Sequence, residues 1–580
     1  MKTMIKRGLL VFIALMLVFS LAACGQSTVA APPATNTSVD QSVDAEETSL
    51  EDLVAAYFTN MPDDIYKIDQ GAFLEKVAEG QDMFILDIRQ ADAYEKGHVR
   101  GAVNIPWGPA IADSLEFIPQ DQTVYVYCYS GQTAGQAVMT LNAAGIDAKS
   151  VNLGFNFGIS KVDGHQAFLE TEEYVLGAET YPVSPEVQSA IDDYYYGLSD
   201  SPYTNYIIPE VALRTLIDAD EDIYVLSVRS KAHFDEGHII GADHIAFGKD
   251  MHLEFDKIPQ DEPVYVYCYS GQTAGQVVAG LKLLGYEAYS LNGGMGVGAN
   301  APLGWANKGY PVHFVEEAAL DYFKNFESNN IVPAADVLAA IDAEEDIFIL
   351  DIRQTDVYEQ GHLKGAVSAP WNGELGQIVD NLPMDKSVYV YCYTGQTAGQ
   401  AVALFRMAGI DAKSIGLGFV RGISKVEGID NYLETEENVL ETDKVNEINP
   451  AVRSAVVKYF EAMAASEITN FIIPSTGLFD KLQTGDESIF VISARQPDVY
   501  AEGHIDTAVN MPFGLDMNAY FKEIPRDKTA IVYCYTGQTA GQAIAVLRML
   551  GYQAWSLNSG MGTPATAPAG WVNEGFPVVK

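Results

Sequence analysis

The chain has 580 residues, too many for one hydrophobic core, and 48% of them are hydrophobic, enough to fill about three to five domains. Its net charge of −43 comes from 78 acidic against 35 basic side chains. That balance disfavours nucleic acid and anionic lipid surfaces as partners, since both require basic patches, and it favours a well-solvated exterior.

In chain order, Lys2, Lys6 and Arg7 precede an apolar run, GLLVFIALMLVFSLAA, with the pattern of an export signal. The run ends in Leu21-Ala22-Ala23-Cys24, followed by Gly25, which resembles a bacterial lipobox. The resemblance implies a signal peptide over residues 1–23 and a lipid on the sulfur of Cys24. The alternative is a plain secretory signal with an incidental cysteine. Residues 24–48 are rich in Ser, Thr, Ala and Pro and predict a disordered tether. At ~5–6 Å × √n it would reach roughly 25–30 Å. The expected location is the outer face of a bacterial cell membrane, with the lipid as the sole membrane contact.

The rest of the chain repeats. CYSGQTAGQ occurs at Cys128–Gln136 and Cys268–Gln276, and CYTGQTAGQ at Cys392–Gln400 and Cys534–Gln542. Cysteines 128 and 392 are 264 residues apart and cysteines 268 and 534 are 266 apart, so the order reads A-B-A′-B′. Repeats A share LDIRQ (Leu86–Gln90, Leu350–Gln354) and GISKV (Gly158–Val162, Gly422–Val426). Repeats B carry serine where A has aspartate, Ser227 and Ser493. The domains are assigned to 49–180, 181–315, 316–445 and 446–580.

Each repeat opens with an amphipathic helical pattern such as LEDLVAAYF or VRSAVVKYFEAM, read as a packing helix that can also link neighbouring domains. Repeat A then alternates strand (DMFILDI), helix (ADAYEKG), strand (AVNIPW), helix (IADSLEFI), strand (TVYVYC), helix (AGQAVMTLNAAG) and strand (AKSVNL). The fold class is therefore α/β: four tandem domains, each a mostly parallel sheet with helices on both faces.

The cysteines stand at a strand's carboxyl end just before a helix, where open α/β sheets bind ligands. Each occupies the same place in its own domain, so a disulfide framework is not expected. TAGQ (Thr133–Gln136 and its copies) predicts a capping box, and the helix N-terminus with its loop amides would favour a thiolate. Gly131 and Gly135 are expected to let the backbone close around the sulfur. The plain alternative, a buried cysteine serving as apolar filler, has to arise four times at one junction.

Taken with EKGHVRGAVNIP (Glu95–Pro106) and GGM…W…GYPV (Gly293–Val312), the cysteine loop resembles the rhodanese sulfurtransferase family over all four repeats. The resemblance implies sulfane-sulfur transfer through persulfides on Cys128, Cys268, Cys392 and Cys534, with no metal and no organic cofactor. It implies a substrate cradle of the six residues after each cysteine. These are Tyr129, Ser130, Gly131, Gln132, Thr133 and Ala134 in the first repeat, and Tyr269, Ser270, Gly271, Gln272, Thr273 and Ala274 in the second. They are Tyr393, Thr394, Gly395, Gln396, Thr397 and Ala398 in the third, and Tyr535, Thr536, Gly537, Gln538, Thr539 and Ala540 in the fourth.

The loops carry no Arg or Lys, which favours polysulfide or small persulfide donors over thiosulfate, with thiol, cyanide or sulfite as acceptor. Alanine at the sixth position, where related phosphatases place arginine, argues against phosphate chemistry. A second reading is a non-turnover polysulfide carrier serving a membrane-bound sulfur enzyme. A third has A catalytic and B mostly structural or carrier. His98, His238, His362 and His504 are expected to bond backbone, Lys161 and Lys425 to lie on the surface, and Arg89 and its copies to pair with acids of the next helix, such as Glu95.

Overall fold

The computed structural model describes residues 49–580; the signal sequence, Cys24 and the tether lie outside the described residues. The strands follow from short β-rich runs bounded by turns. In the first domain Lys67–Ile68, Ala148–Val151, Val124–Tyr127, Phe84–Asp87 and Ala102–Asn104 lie side by side in that order, all parallel. The other three domains repeat this five-stranded parallel arrangement, and helices supply the crossovers that parallel pairing requires. The alternation within TVYVYC divides the side chains between two faces. Val124 and Val126 enter one core, while Tyr125 and Tyr127 enter another on the opposite face. Elements not expected from sequence include the edge strand Lys67–Ile68, the antiparallel pair His98–Val99 and Leu169–Glu170, and the helix Gln70–Glu79, capped by Asp69, whose carboxylate accepts from Gly71 and Ala72 N–H. Among the described residues no helix is long and apolar enough to cross a membrane.

The domains are built as two pairs. One buried apolar cluster runs through domains 1 and 2 and a second through domains 3 and 4, so each pair shares an inner core. The opening helices make the exchange mutual. Leu50–Thr59 is started by Ser49 and presents Val54, Tyr57 and Phe58 at helical spacing. Phe58 packs edge-on against Phe255 of domain 2, ring centroids 5.4 Å apart, and its carbonyl accepts Asp250 N–H at 3.1 Å. In return Tyr195, on the opening helix of domain 2 (Pro185–Tyr196), packs edge-on against Trp107 of domain 1 at 5.2 Å. Phe323 with Phe521 and Phe460 with Trp371 repeat the exchange in the second pair. An ionic cluster, Arg214 with Asp218 and Glu316 and Arg526 with Asp218, joins the two pairs.

Candidate active site

Strand Val124–Tyr127 ends at Cys128, and the chain turns through Tyr129, Ser130 and Gly131 into helix Gln132–Ala143. The turn requires Gly131 at φ 91°, a left-handed conformation that a side chain disfavours. It brings the Gly131 N–H to Cys128 Sγ at 3.1 Å and the Ala134 N–H at 3.4 Å. The same donor at the third position after the cysteine sits 3.1 Å from Cys268, Cys392 and Cys534 Sγ. All four cysteines are free and at most 2% exposed. The following turn fixes the loop from behind: Phe155 N–H donates to the Cys128 carbonyl and Asn156 N–H to that of Tyr129, both at 2.8 Å. Main-chain dipoles aimed at the sulfur stabilise negative charge there without any side chain having to reorganise.

The helix starts differently from the sequence expectation. Its N-cap is Gly131, not Thr133, and no side-chain capping bond forms. The glutamines explain this. Gln132 crosses into domain 2, where Nε2 donates to Ser290 Oγ (2.8 Å) and the Leu291 carbonyl (2.9 Å), and Oε1 accepts Gly293 N–H (3.2 Å). Gln272 returns the arrangement to Ser150, Val151 and Leu153 of domain 1. Gln396 and Gln538 repeat both halves in the second pair. The second glutamine of each motif, expected as a capping residue, also bonds elsewhere: Gln136 accepts Tyr194 OH and donates to the Asn205 carbonyl. Whatever Gln132, Gln272, Gln396 and Gln538 contribute at the sulfur, they contribute through main chain. Gly135 likewise serves the interface: a Cβ on it would sit 2.2 Å from the Gln272 carbonyl oxygen, and one on Gly275 2.5 Å from that of Gln132. The repeated GQTAGQ is thus a reciprocal clasp between paired domains, and it sits on the cysteine loops themselves.

Tyr129, Tyr269, Tyr393 and Tyr535 stand at the rim, 37–39% exposed. Each hydroxyl accepts a main-chain N–H from the loop after the second sheet strand: Gln90, Ser230, Gln354 and Gln496, at 3.1–3.4 Å. At the second site His233 Nδ1 also lies 2.7 Å from Tyr269 Oη, a contact the other three sites lack because Ala93, Val357 and Val499 stand there.

Two cations stand at the domain boundaries. Burial lowers the pKa of the Lys67 ammonium, and the nearby Cys268 sulfur acts in the opposite direction. Lys67 pairs in register with Ser150, the residue that Gln272 grips. At the equivalent register positions the other domains carry Ile207, Ile331 and Ile472. In the second pair Arg421 Nη1 donates to Ser559 Oγ at 2.9 Å, linking the turn behind Cys392 to the one behind Cys534. Neither cation was anticipated from sequence. Lys161 and Lys425 are exposed.

The remaining shared residues hold the scaffold. His98, His238, His362 and His504 place Nδ1 2.9–3.2 Å from the carbonyl four residues earlier and stack on the ring of that residue. Arg89 pairs with Asp87, not with Glu95: Nη2 to Oδ2 is 2.6 Å and Nε to Oδ1 is 3.0 Å, both side chains buried. Burial opposes the Arg89 charge, but the Asp87 carboxylate outweighs it and holds the guanidinium pKa above its ordinary value. Arg353 and Asp351 repeat the pair in domain 3.

Against known proteins, the profile of the Rhodanese-like domain matches residues 70–157, 211–299, 333–427 and 476–562, more than half of the chain. Over 81 residues the chain is 35% identical to YrkF of Bacillus subtilis (strain 168), which covers 14% of this chain and 43% of that protein. The chain thus spans less than half the length of YrkF. It is 30% identical over 94 residues to a sulfurtransferase of Allochromatium vinosum, covering 16% of this chain and 80% of that one. It is 36% identical over 89 residues to the thiosulfate sulfurtransferase GlpE of Coxiella burnetii, covering 15% and 82%. Among solved structures, a thiosulfate sulfurtransferase from Pseudomonas aeruginosa is similar at 17% identity and TM-score 0.17, covering 89% of this chain and 90% of that one. The four matched segments each contain one cysteine loop of the geometry described above, and the chain belongs to the rhodanese-like domain family, with four copies in tandem.

Proposed function

We propose that the protein is a sulfurtransferase that moves sulfane sulfur from polysulfide or a small persulfide to a thiol or cyanide acceptor. The observation that carries this reading is the main-chain N–H held 3.1 Å from the sulfur in all four copies. The cysteine thiolate attacks the outer sulfur of the donor, the donor's S–S bond breaks, and its remaining thiolate leaves. The new terminal sulfur carries the negative charge, which the loop amides stabilise. An acceptor nucleophile then attacks that terminal sulfur and the cysteine departs as thiolate, closing the cycle without net oxidation. The burial of each sulfur limits access to small donors or to a slender acceptor passing the rim tyrosine. Lys67 favours the Cys268 site for an anionic donor, thiosulfate included.

The protein acts, in this reading, from a lipid on Cys24 at the outer face of the cell membrane, as the leader pattern supports. Steady-state turnover of polysulfide with cyanide or a small thiol tests the enzymatic reading. Stoichiometric loading without turnover would favour a carrier that hands sulfur to a membrane enzyme.

A further inference from the structure

Domains 2 and 4 keep the buried arginine of the Asp–Arg pair but not its aspartate. Arg229 is 5% exposed and Arg495 4%, and neither takes part in an ion pair of the described residues. In each, Nη2 still donates to a glycine carbonyl, Gly237 or Gly503, as Arg89 does to Gly97. Nε has no partner, and the hydroxyl of Ser227 or Ser493, both fully buried, has none either. The aromatic support is weaker too: Phe155 and Phe419 lie 4.0 and 3.9 Å from the guanidinium carbon in domains 1 and 3, while the matching positions in 2 and 4 are Met295 and Met561. The same pair of orphaned polar groups therefore appears twice, at the same place, in both B domains.

An unpaired buried charge is among the most destabilising features a fold can hold, so a guanidinium retained in this position calls for a counter-charge. Domain 1 shows where the counter-charge sits. Asp87 Oδ1 accepts the Arg89 main-chain N–H at 2.9 Å and Nε at 3.0 Å, and Oδ2 accepts Nε and Nη2. Replacing aspartate by serine removes the carboxylate and leaves the arginine Nε, and the new hydroxyl two residues before it, both buried and without a partner.

We propose that domains 2 and 4 each bind a small monovalent anion of halide size, chloride in ordinary solution, between Ser227 Oγ and Arg229 Nε and between Ser493 Oγ and Arg495 Nε. Domains 1 and 3, where Asp87 and Asp351 fill the position, bind none. The anion performs the carboxylate's task of fixing the arginine, and through Arg229 Nη2 the turn at Gly237. The B domains are thus stabilised by a dissociable ion and the A domains by a covalent one.

The test uses the mature full-length protein, dialysed into gluconate and titrated with sodium bromide at constant ionic strength. Bromide at a hundred times its Kd lowers the unfolding equilibrium constant about a hundredfold per site, and the effect saturates. The Ser227→Asp/Ser493→Asp variant restores the carboxylates, and its stability should be independent of bromide. Bromide-soaked crystals should show anomalous peaks at these two positions and none beside Asp87 or Asp351. Wild-type stability that does not respond to bromide, a response that persists in the double aspartate variant, or peaks of equal height in all four domains would each overturn the proposal. If the double variant does not fold, the anomalous map on wild type decides alone.

Discussion

Replacing Gln132 with alanine separates the two roles that its position in the cysteine loop invites. As a clasp, its side chain satisfies the Leu291 carbonyl and the Gly293 N–H, both buried in domain 2, and bonds Ser290 Oγ. Truncation orphans one buried main-chain group, the Gly293 N–H, since the Leu291 carbonyl also accepts Gly294 N–H at 3.0 Å, so the expected loss is about 1–3 kcal/mol. The loss falls on the shared core of domains 1 and 2. Urea denaturation of the full chain should show the first pair's transition moving down by on the order of 1 M, while the second pair's stays in place. Thr133→Ala, at a partly exposed neighbour, should change stability by no more than about 0.5 kcal/mol. Under conditions where the variant remains folded, Cys128 should still take up sulfur from polysulfide, because the Gly131 N–H is main chain. The reasoning fails if Gln132→Ala leaves stability within about 0.5 kcal/mol and abolishes loading of Cys128.

Gly135→Ala should destabilise the first pair by about 1–3 kcal/mol or more, since its Cβ meets the Gln272 carbonyl at 2.2 Å; faster limited proteolysis of the first pair would register it. Lys67→Met should slow sulfur uptake at Cys268 from thiosulfate severalfold and leave Cys128 unchanged; site-resolved peptide mass spectrometry reads both. Asp87→Ala leaves Arg89 buried without its carboxylate and should cost about 3–5 kcal/mol in calorimetry, far more than Ser227→Ala in halide-free buffer.

The sheet was legible in the chain because its strands are β-rich runs such as VYVY, bounded by turns and repeated four times. The cysteine loop was legible for the same reason, as a fixed sequence at a strand end. The clasp was not. Thr133 to Gln136 satisfies the local pattern of a capping box, and nothing local says that glutamine bonds another domain instead. The interface that decides this lies 158 residues away, at Ser290. The partner of Arg89 was within reach, since residues two apart on an extended chain share a face, which favours Asp87 over Glu95. Lys67 could also have been found. Aligned with Ile207, Ile331 and Ile472 it is the one charged residue at a position otherwise apolar, a local inconsistency of the kind that marks functional sites. The exchange of opening helices had no such signal, because an amphipathic helix reads the same whichever domain it covers.

Intact mass spectrometry of the reduced mature protein after polysulfide treatment tests the central claim most directly. Four added sulfur atoms are expected, each removed by cyanide, with one fewer in each single Cys→Ser variant at Cys128, Cys268, Cys392 or Cys534. Absence of sulfur addition at all four cysteines, with the protein folded, would contradict the account.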